Sequence, residues 1–168
     1  GLLTAGFETT AATISAGFYA FAKQPEQFKQ LREQPELIPG AVEELLRWET
    51  PVQVVVRYLG KDTQLHASLL PAGEQIWLLT GAANHDPRKH DKPSLVDVNR
   101  EVSEHFSFGG GRHFCLGAYL ARLELQILLQ QLVTRCESVE LRCDDVQRRD
   151  NLQFPSIESL PVVLHKAS

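Results

Sequence analysis

The sequence predicts a mainly α-helical domain with small β-sheets, an α+β fold, and two observations lead to this prediction. Long stretches with apolar residues at helical spacing occur in both halves of the chain, whereas the β-rich segments are short and bounded by turn residues. The 168 residues, 43% of them hydrophobic and 23% charged, suffice for one sizeable core and argue against intrinsic disorder. We therefore expect a single domain over residues 1–168, without repeats or an internal linker.

Three helices are predicted in the first part of the chain. Residues 1–23 are apolar on most faces, which indicates a buried helix. Pro25 begins a short second helix and Pro39 begins a third, because proline is well tolerated in the first turn of a helix. Pro51 ends the third helix, since the residue before a proline disfavours the helical conformation.

Short strands are predicted where β-branched and aromatic residues cluster, and turn residues such as those at 71–73 separate them. The predicted strands cover residues 52–56, 64–66, 74–79, 139–141 and 161–164. Residues 85–100 are polar and only weakly periodic, which indicates a long ordered loop. Residues 116–134 are predicted to form another helix, whose apolar stripe comprises Leu116, Leu120, Leu123 and Ile127.

Charge and composition exclude several classes of protein. The formal net charge is -4 and Lys and Arg are not clustered, so nucleic-acid binding is not expected. The sequence lacks a membrane-spanning stretch and a basic flank near Gly1, so we expect no membrane association and a cytoplasmic location. Cys115, Cys136 and Cys143 form no C-x-x-C pair, which argues against a disulfide framework or a zinc site and leaves room for one functional thiolate.

The segment from Phe108 to Gly117 carries the strongest functional signal. Glycines at 109–111 allow the backbone to approach a flat ligand closely. Cys115 lies where the predicted helix begins, and the unpaired N–H groups and the helix dipole favour a thiolate there. Gly117 has no side chain that would block a ring above the sulfur. The alternative is a cysteine buried in the core, which is the usual environment of an isolated free thiol.

This segment resembles the signature of the cytochrome P-450 family, in which Phe, two residues, Gly, three residues, Cys, one residue and Gly follow one another. Phe108, Gly111, Cys115 and Gly117 match the fixed positions. The resemblance implies the C-terminal portion of the cytochrome P-450 fold, with haem b (iron protoporphyrin IX) as cofactor and Cys115 as the axial ligand of the iron. It also implies that Phe108 packs near the sulfur.

A second match to the family is Glu44 and Arg47, a Glu-x-x-Arg pair one helical turn apart. An exposed pair of this kind is common and weak, but the resemblance implies that this one anchors the chain before the cysteine. The family usually adds an Arg or His from the preceding loop, where this chain has Leu95. Arg100 and His90 are the candidates to take that place.

A third match is the segment from Ala5 to Thr10, which resembles the oxygen-activation motif of the family. Thr9 is expected to bond back to the carbonyl of Ala5 and loosen the helix, while Gly6 leaves space beside bound dioxygen. Glu8 is the candidate acid that supplies a proton, so Glu8 and Thr9 are the predicted catalytic residues. The alternative is an ordinary buried helix with a polar pair.

Cationic side chains are required to bind the haem propionates. By position in the resemblance, Arg57, His105 and His113 are the candidates, each of which could instead be a solvated surface residue. Arg112 and Arg122 are candidates for the face on which an electron donor docks. The edges of the substrate pocket are expected at residues 54–56 and 153–157.

The resemblance implies a monooxygenase that inserts one oxygen atom of dioxygen into a small organic substrate, with electrons from a ferredoxin or flavoprotein reductase. Family members are more than twice as long, so we expect this chain to be a haem-binding fragment. One alternative is a truncated, non-catalytic fragment with weak or no haem binding. Another is peroxide-driven or rearrangement chemistry in the same fold, against which Glu8 and Thr9 argue, since those reactions need no proton relay to dioxygen.

Overall fold

The structure is a computed structural model that describes residues 1–101 and 104–167. The helices in these ranges are α1 (Leu2–Lys23), α2 (Pro25–Glu33), α3 (Ile38–Glu49), α4 (Thr80–Asn84) and α5 (Ala118–Arg135), with short 3-10 turns at Pro35–Leu37 and Gly111–His113. The strands are β1 (Val55–Tyr58), β2 (Thr63–Leu65), β3 (Ser68–Leu70), β4 (Gln75–Leu78), β5 (Cys136–Leu141) and β6 (Val162–Lys166). This architecture confirms the predicted combination of helices with small sheets.

The strands pair into antiparallel two-stranded sheets, β1 with β4, β2 with β3 and β5 with β6. Two elements were not predicted, namely β3 and α4. β3 follows a turn in which His66 has a positive φ of 50°, a conformation that is uncommon for residues other than glycine. α4 contains Gly81, a poor helix former, but a side chain there would collide with that of Gln53.

The hydrophobic core lies where the later part of α1, α2, α3 and one face of α5 meet β5. Its fully buried side chains include Phe21, Phe28, Leu31, Val42 and Leu45. The predicted burial of the whole first helix is wrong for its beginning, because Leu3 and Phe7 are largely exposed. In the residues that the structure describes, no helix combines the length and the apolarity needed to cross a membrane.

The core-facing side of α5 also differs from the prediction. The predicted stripe of Leu116, Leu120, Leu123 and Ile127 is exposed, whereas the buried side chains of this helix are Ala118, Leu125, Leu129, Leu132 and Val133. α5 has apolar residues on more than one side, so periodicity predicts the helix but does not select the side that packs. The exposed start of this stripe borders the candidate site.

Candidate functional site

A cavity of about 930 Å³ lies between α1 and the residues around Cys115. We call residues 106–117, which form one wall of this cavity, the cysteine loop. Cys115 is exposed and borders the cavity, whereas Cys136 is buried in the core. Another wall comes from α1, and the lining of the cavity is mostly apolar. It includes Ala5, Gly6, Thr9, Leu46, Val52, Val55, Leu78, Leu79, Phe108, Leu116 and Leu120.

The conformation of the cysteine loop depends on two of its glycines. Gly109 and Gly111 have positive φ angles of 69° and 62°, which a side chain would disfavour. The amide of Cys115 donates to the carbonyl of Phe108 at 2.9 Å and closes the loop. A Cβ atom on Gly117 would lie 3.9 Å from the sulfur of Cys115, so glycine keeps this flank of the sulfur open. Gly111 itself is not part of the cavity wall, and its contribution is to the turn.

The wall formed by α1 has the backbone feature that was predicted. The hydroxyl of Thr9 donates to the carbonyl of Ala5 at 2.7 Å, and Thr13 makes the same kind of bond to the carbonyl of Thr9 at 3.1 Å. A Cβ atom on Gly6 would meet no atom within 4 Å, so this position leaves space in the cavity. The hydroxyl of Thr9 can still accept hydrogen bonds on its oxygen.

The side chain of Glu8 lies outside the cavity, against the segment between β5 and β6. Its carboxylate accepts a hydrogen bond of 2.5 Å from Arg149, in the segment between β5 and β6, and it is not part of the cavity wall. The Glu8 side chain is 39% exposed. The structure therefore brings Thr9 but not Glu8 to the cavity, because successive residues of a helix point in different directions.

Glu44 and Arg47 form a fully buried ion pair on α3. Arg47 donates from Nε to Glu44 Oε2 at 2.7 Å and from Nη2 to Oε1 at 2.8 Å, and both side chains have no exposed surface. Arg47 also donates to the carbonyls of Asn84, Pro93 and Leu95. The pair thus ties α3 to α4 and to the polar segment at 85–100, rather than lying on the surface.

Arg100, and not His90, supplies the third member of this cluster. Its Nε donates to Glu44 Oε1 at 3.0 Å, and the amide of Asp97 donates to the same oxygen at 3.1 Å. His90 is buried nearby, and its pKa is lowered by burial and by the charges of Arg47 and Arg100. The carboxylate of Glu44 is therefore fully hydrogen-bonded, although Leu95 stands where the family usually has an Arg or His.

Asn84 links this cluster to the cysteine loop, a role that the sequence did not suggest. Its side-chain amide donates to the hydroxyls of Thr50 and Ser107, and its carbonyl accepts from the amide of Phe106. Ser107 in turn donates to the carbonyl of Leu46 at 2.7 Å. A polar residue just before a predicted loop carries no motif that would have revealed these contacts.

Of the predicted propionate ligands, Arg57 and His113 lie on the wall of the cavity and His105 does not. The Nδ1 atom of His105 accepts from the amide of Ser107, so its Nε2 atom carries the proton and donates to Glu43 at 3.0 Å. With both ring nitrogens bonded within the protein, His105 is not available for a propionate. Its prediction as a cofactor ligand is therefore corrected.

The structure also shows where Arg122 and residues 153–157 lie. Arg122, expected on an electron-donor docking face, donates to both carboxylate oxygens of Glu43 at 2.7 and 2.8 Å. Residues 153–157 do not line the cavity, although the carbonyl of Gln153 holds the amide of Gln53, just before β1. Val55, in the other predicted pocket edge, does line the cavity.

The residues around the cavity fit a haem. An accessible thiol faces a large and mostly apolar space, as a flat macrocycle bound through its metal requires. The side chains of Arg57 and His113, which both carry N–H groups, lie on the cavity wall and suit the anionic edge of such a group. In the part of the chain that the structure describes, no group of three or more His, Cys, Asp or Glu side chains could hold a metal ion by itself.

Comparison with known proteins agrees with this arrangement. The family model described as cytochrome P-450 matches residues 33–163, more than half of the chain. The chain is 44% identical over 163 residues to cytochrome P-450 CYP107DY1 of Priestia megaterium, covering 96% of this chain and 40% of that protein. It is 40% identical over 164 residues to a steroid C26-monooxygenase of Mycobacterium tuberculosis, covering 96% of this chain and 44% of that protein.

A solved structure gives the same result for the fold. The polyketide synthase cytochrome P-450 PksS of Bacillus subtilis superimposes with a TM-score of 0.91 at 40% sequence identity, covering 98% of this chain and 43% of that chain. The chain thus spans about two fifths of the length of these relatives, 40% in the case of CYP107DY1.

Proposed function

The chain belongs to the cytochrome P-450 family, and we propose that it forms the haem-thiolate centre of a monooxygenase acting on a small organic substrate. The observation that carries this proposal is the exposed sulfur of Cys115, which opens into an apolar cavity of about 930 Å³ with Thr9 on another wall. The steroid C26-monooxygenase among its relatives supports the reaction type. The proposed cofactor is haem b, and the proposed electron donor is a ferredoxin or flavoprotein reductase.

We assign the binding of the cofactor to three groups of residues. The thiolate of Cys115 binds the iron, helped by its position just before the first turn of α5, where the helix dipole favours negative charge. Arg57 and His113 bind the propionates, and Phe108, whose carbonyl holds the amide of Cys115, packs beside the ligand. When bound, the haem supplies the activation of dioxygen that protein side chains cannot provide.

The residues that bind and transfer protons are proposed to lie on α1. Because the Thr9 hydroxyl donates its own proton to Ala5, its oxygen is left to accept a hydrogen bond from a water in the cavity and to fix that water in place. Glu8, next along the helix and partly exposed, exchanges protons with solvent at the outer end of this route.

Titration with haem tests this proposal. Haem added to the protein that carries this sequence is expected to give, once reduced under carbon monoxide, an absorption band at the position typical of thiolate ligation. A band typical of a histidine-ligated or unligated haem would overturn the proposal. Absence of any haem spectrum would instead favour the non-catalytic alternative.

Replacement of Thr9 with Ala is expected to uncouple electron consumption from product formation. The water that Thr9 fixes would lose its partner, so product formed per electron pair should fall by about tenfold or more, while haem binding stays unchanged. The measurement is product yield against reductant and oxygen consumed. Thr134→Ala is the matched control, because Thr134 makes the same back-bond, to Gln130, on an exposed part of α5. Equal coupling in the two variants would contradict the role of Thr9.

A further inference from the structure

Glu43 lies beside the structural carboxylate Glu44 but binds a different part of the protein. Its two oxygens accept three hydrogen bonds, two from Arg122 on α5 at 2.7 and 2.8 Å and one from His105 in the segment leading to the cysteine loop at 3.0 Å. The side chains are mostly shielded, with 22% of Glu43, 28% of Arg122 and 5% of His105 exposed. We call Glu43, His105 and Arg122 the Glu43 cluster.

The Glu43 cluster reaches the cysteine loop through Phe108. The guanidinium of Arg122 lies 4.6 Å from the centroid of the Phe108 ring, and the ring of His105 lies 5.7 Å from it on a tilted plane. The carbonyl of Phe108 accepts the hydrogen bond from the amide of Cys115. Phe108 is therefore the one residue that lies between the pair of Glu43 and Arg122 and the backbone of Cys115.

Both members of the pair are charged at physiological pH. Burial alone would raise the pKa of Glu43, but hydrogen bonds from Arg122 and His105 outweigh it and lower this pKa to about 2. The pKa of Arg122 is raised, mainly by its hydrogen bonds to Glu43. The two opposite charges therefore lie together beside Phe108, whose carbonyl accepts the hydrogen bond from the amide of Cys115.

We infer that Glu43 and Arg122 are positioning residues that set the reduction potential of a haem bound to Cys115, through opposing charges held next to Phe108. This inference rests on the proposed function. A positive charge near the thiolate draws electron density from the iron and stabilises its reduced state, and a negative charge does the opposite. Because the pair is shielded from solvent, its field is only partly screened at the sulfur.

The test compares the reduction potentials of haem-loaded variants by spectroscopic titration. Glu43→Gln removes the offsetting negative charge and is expected to shift the oxidised-to-reduced equilibrium about tenfold toward the reduced form, which is a rise of about 59 mV for one electron. Arg122→Gln removes the positive charge and is expected to shift the potential in the opposite direction. The double variant should lie between the two single variants.

The opposite directions in which the two substitutions shift the reduction potential distinguish this inference from a merely structural role. Loss of either partner loosens the same contact, so structural damage alone would move both potentials the same way and lower both thermal midpoints. Arg122→Lys, which keeps the charge and loses the paired hydrogen bonds, should restore most of the wild-type potential. Glu140→Gln is the matched control. It removes a carboxylate on β5 that pairs with Arg142 and His165, and it should leave the potential unchanged.

Each outcome decides one of the two proposals. If wild-type protein shows the thiolate-type band but the two single variants shift together or not at all, the inference about the Glu43 cluster is wrong and the proposed function stands. If wild-type protein gives no thiolate-type band, the proposed function fails before the variants are compared. Opposite shifts with an unchanged control establish the inference.

Discussion

Replacement of Cys115 with Ala is expected to abolish the thiolate-type carbon monoxide band completely, which is the largest effect predicted for this protein. The sulfur is the one side-chain atom of the cysteine loop that can bond iron as an anion, and it is exposed to the cavity. The loop should survive the change, because its closing hydrogen bond uses the amide of residue 115 and the carbonyl of Phe108. The measurement is the reduced carbon monoxide spectrum after haem addition.

Cys143→Ala is the matched control for this experiment. Cys143 is also a free cysteine, but it lies after β5 and is not part of the cavity wall, so its removal should leave the spectrum unchanged. Cys136 is less suitable, since it is buried in the core and its truncation would lower stability. A thiolate-type band that persists in Cys115→Ala, or disappears in Cys143→Ala, would show that another sulfur is the ligand.

The parts of the site that could be predicted from sequence are local in the chain. These features are the position of Cys115 shortly before α5, the glycines at 109 and 111 and the back-bond of Thr9 to Ala5, and each involves residues only a few positions apart. Helix dipoles, positive φ angles and hydroxyl back-bonding act over that range, so spacing and residue type suffice to predict them.

Contacts between distant residues were not predictable in the same way. Glu43 is 62 residues from His105 and 79 from Arg122, and no pattern in one sequence shows that these side chains meet. His105 was accordingly interpreted by its position in the resemblance as a propionate ligand, and Arg122 as a residue of a docking face, whereas in the structure both bind Glu43. Arg100 was one of two candidates for Glu44, and only the path of the segment at 85–100 decides between it and His90.

The choice of packing side is a second limit of the sequence. α5 carries leucines around much of its circumference, and those at 120 and 123 are exposed while those at 125, 129 and 132 are buried. Which side of such a helix faces the core depends on its neighbours, here mainly α1, α2 and α3, and not on its own periodicity. The same reasoning applies to α1, whose apolar beginning is exposed at Leu3 and Phe7.

Replacement of Glu44 with Gln is expected to cause the second largest effect, a loss of about 3–5 kcal/mol in the free energy of unfolding. The carboxylate accepts hydrogen bonds from Arg47, Arg100 and the amide of Asp97, and it has no exposed surface. A neutral amide would leave the buried guanidinium of Arg47 without a counter-charge and would turn its own N–H groups toward other donors. Denaturant unfolding of the two proteins measures the difference.

Glu33→Gln is the control for this substitution, because Glu33 pairs with Lys29 on the exposed side of α2 and its loss should leave the unfolding midpoint unchanged. Arg100→Gln should cost less than Glu44→Gln, since it removes one donor and leaves the bonds of Glu44 with Arg47 and Asp97 intact. If Glu44 and Arg100 act as a unit, the double variant that carries both substitutions should lose less free energy of unfolding than the two single variants lose together. Effects that add within about 0.5 kcal/mol would instead mean that Arg100 and Glu44 stabilise the protein independently.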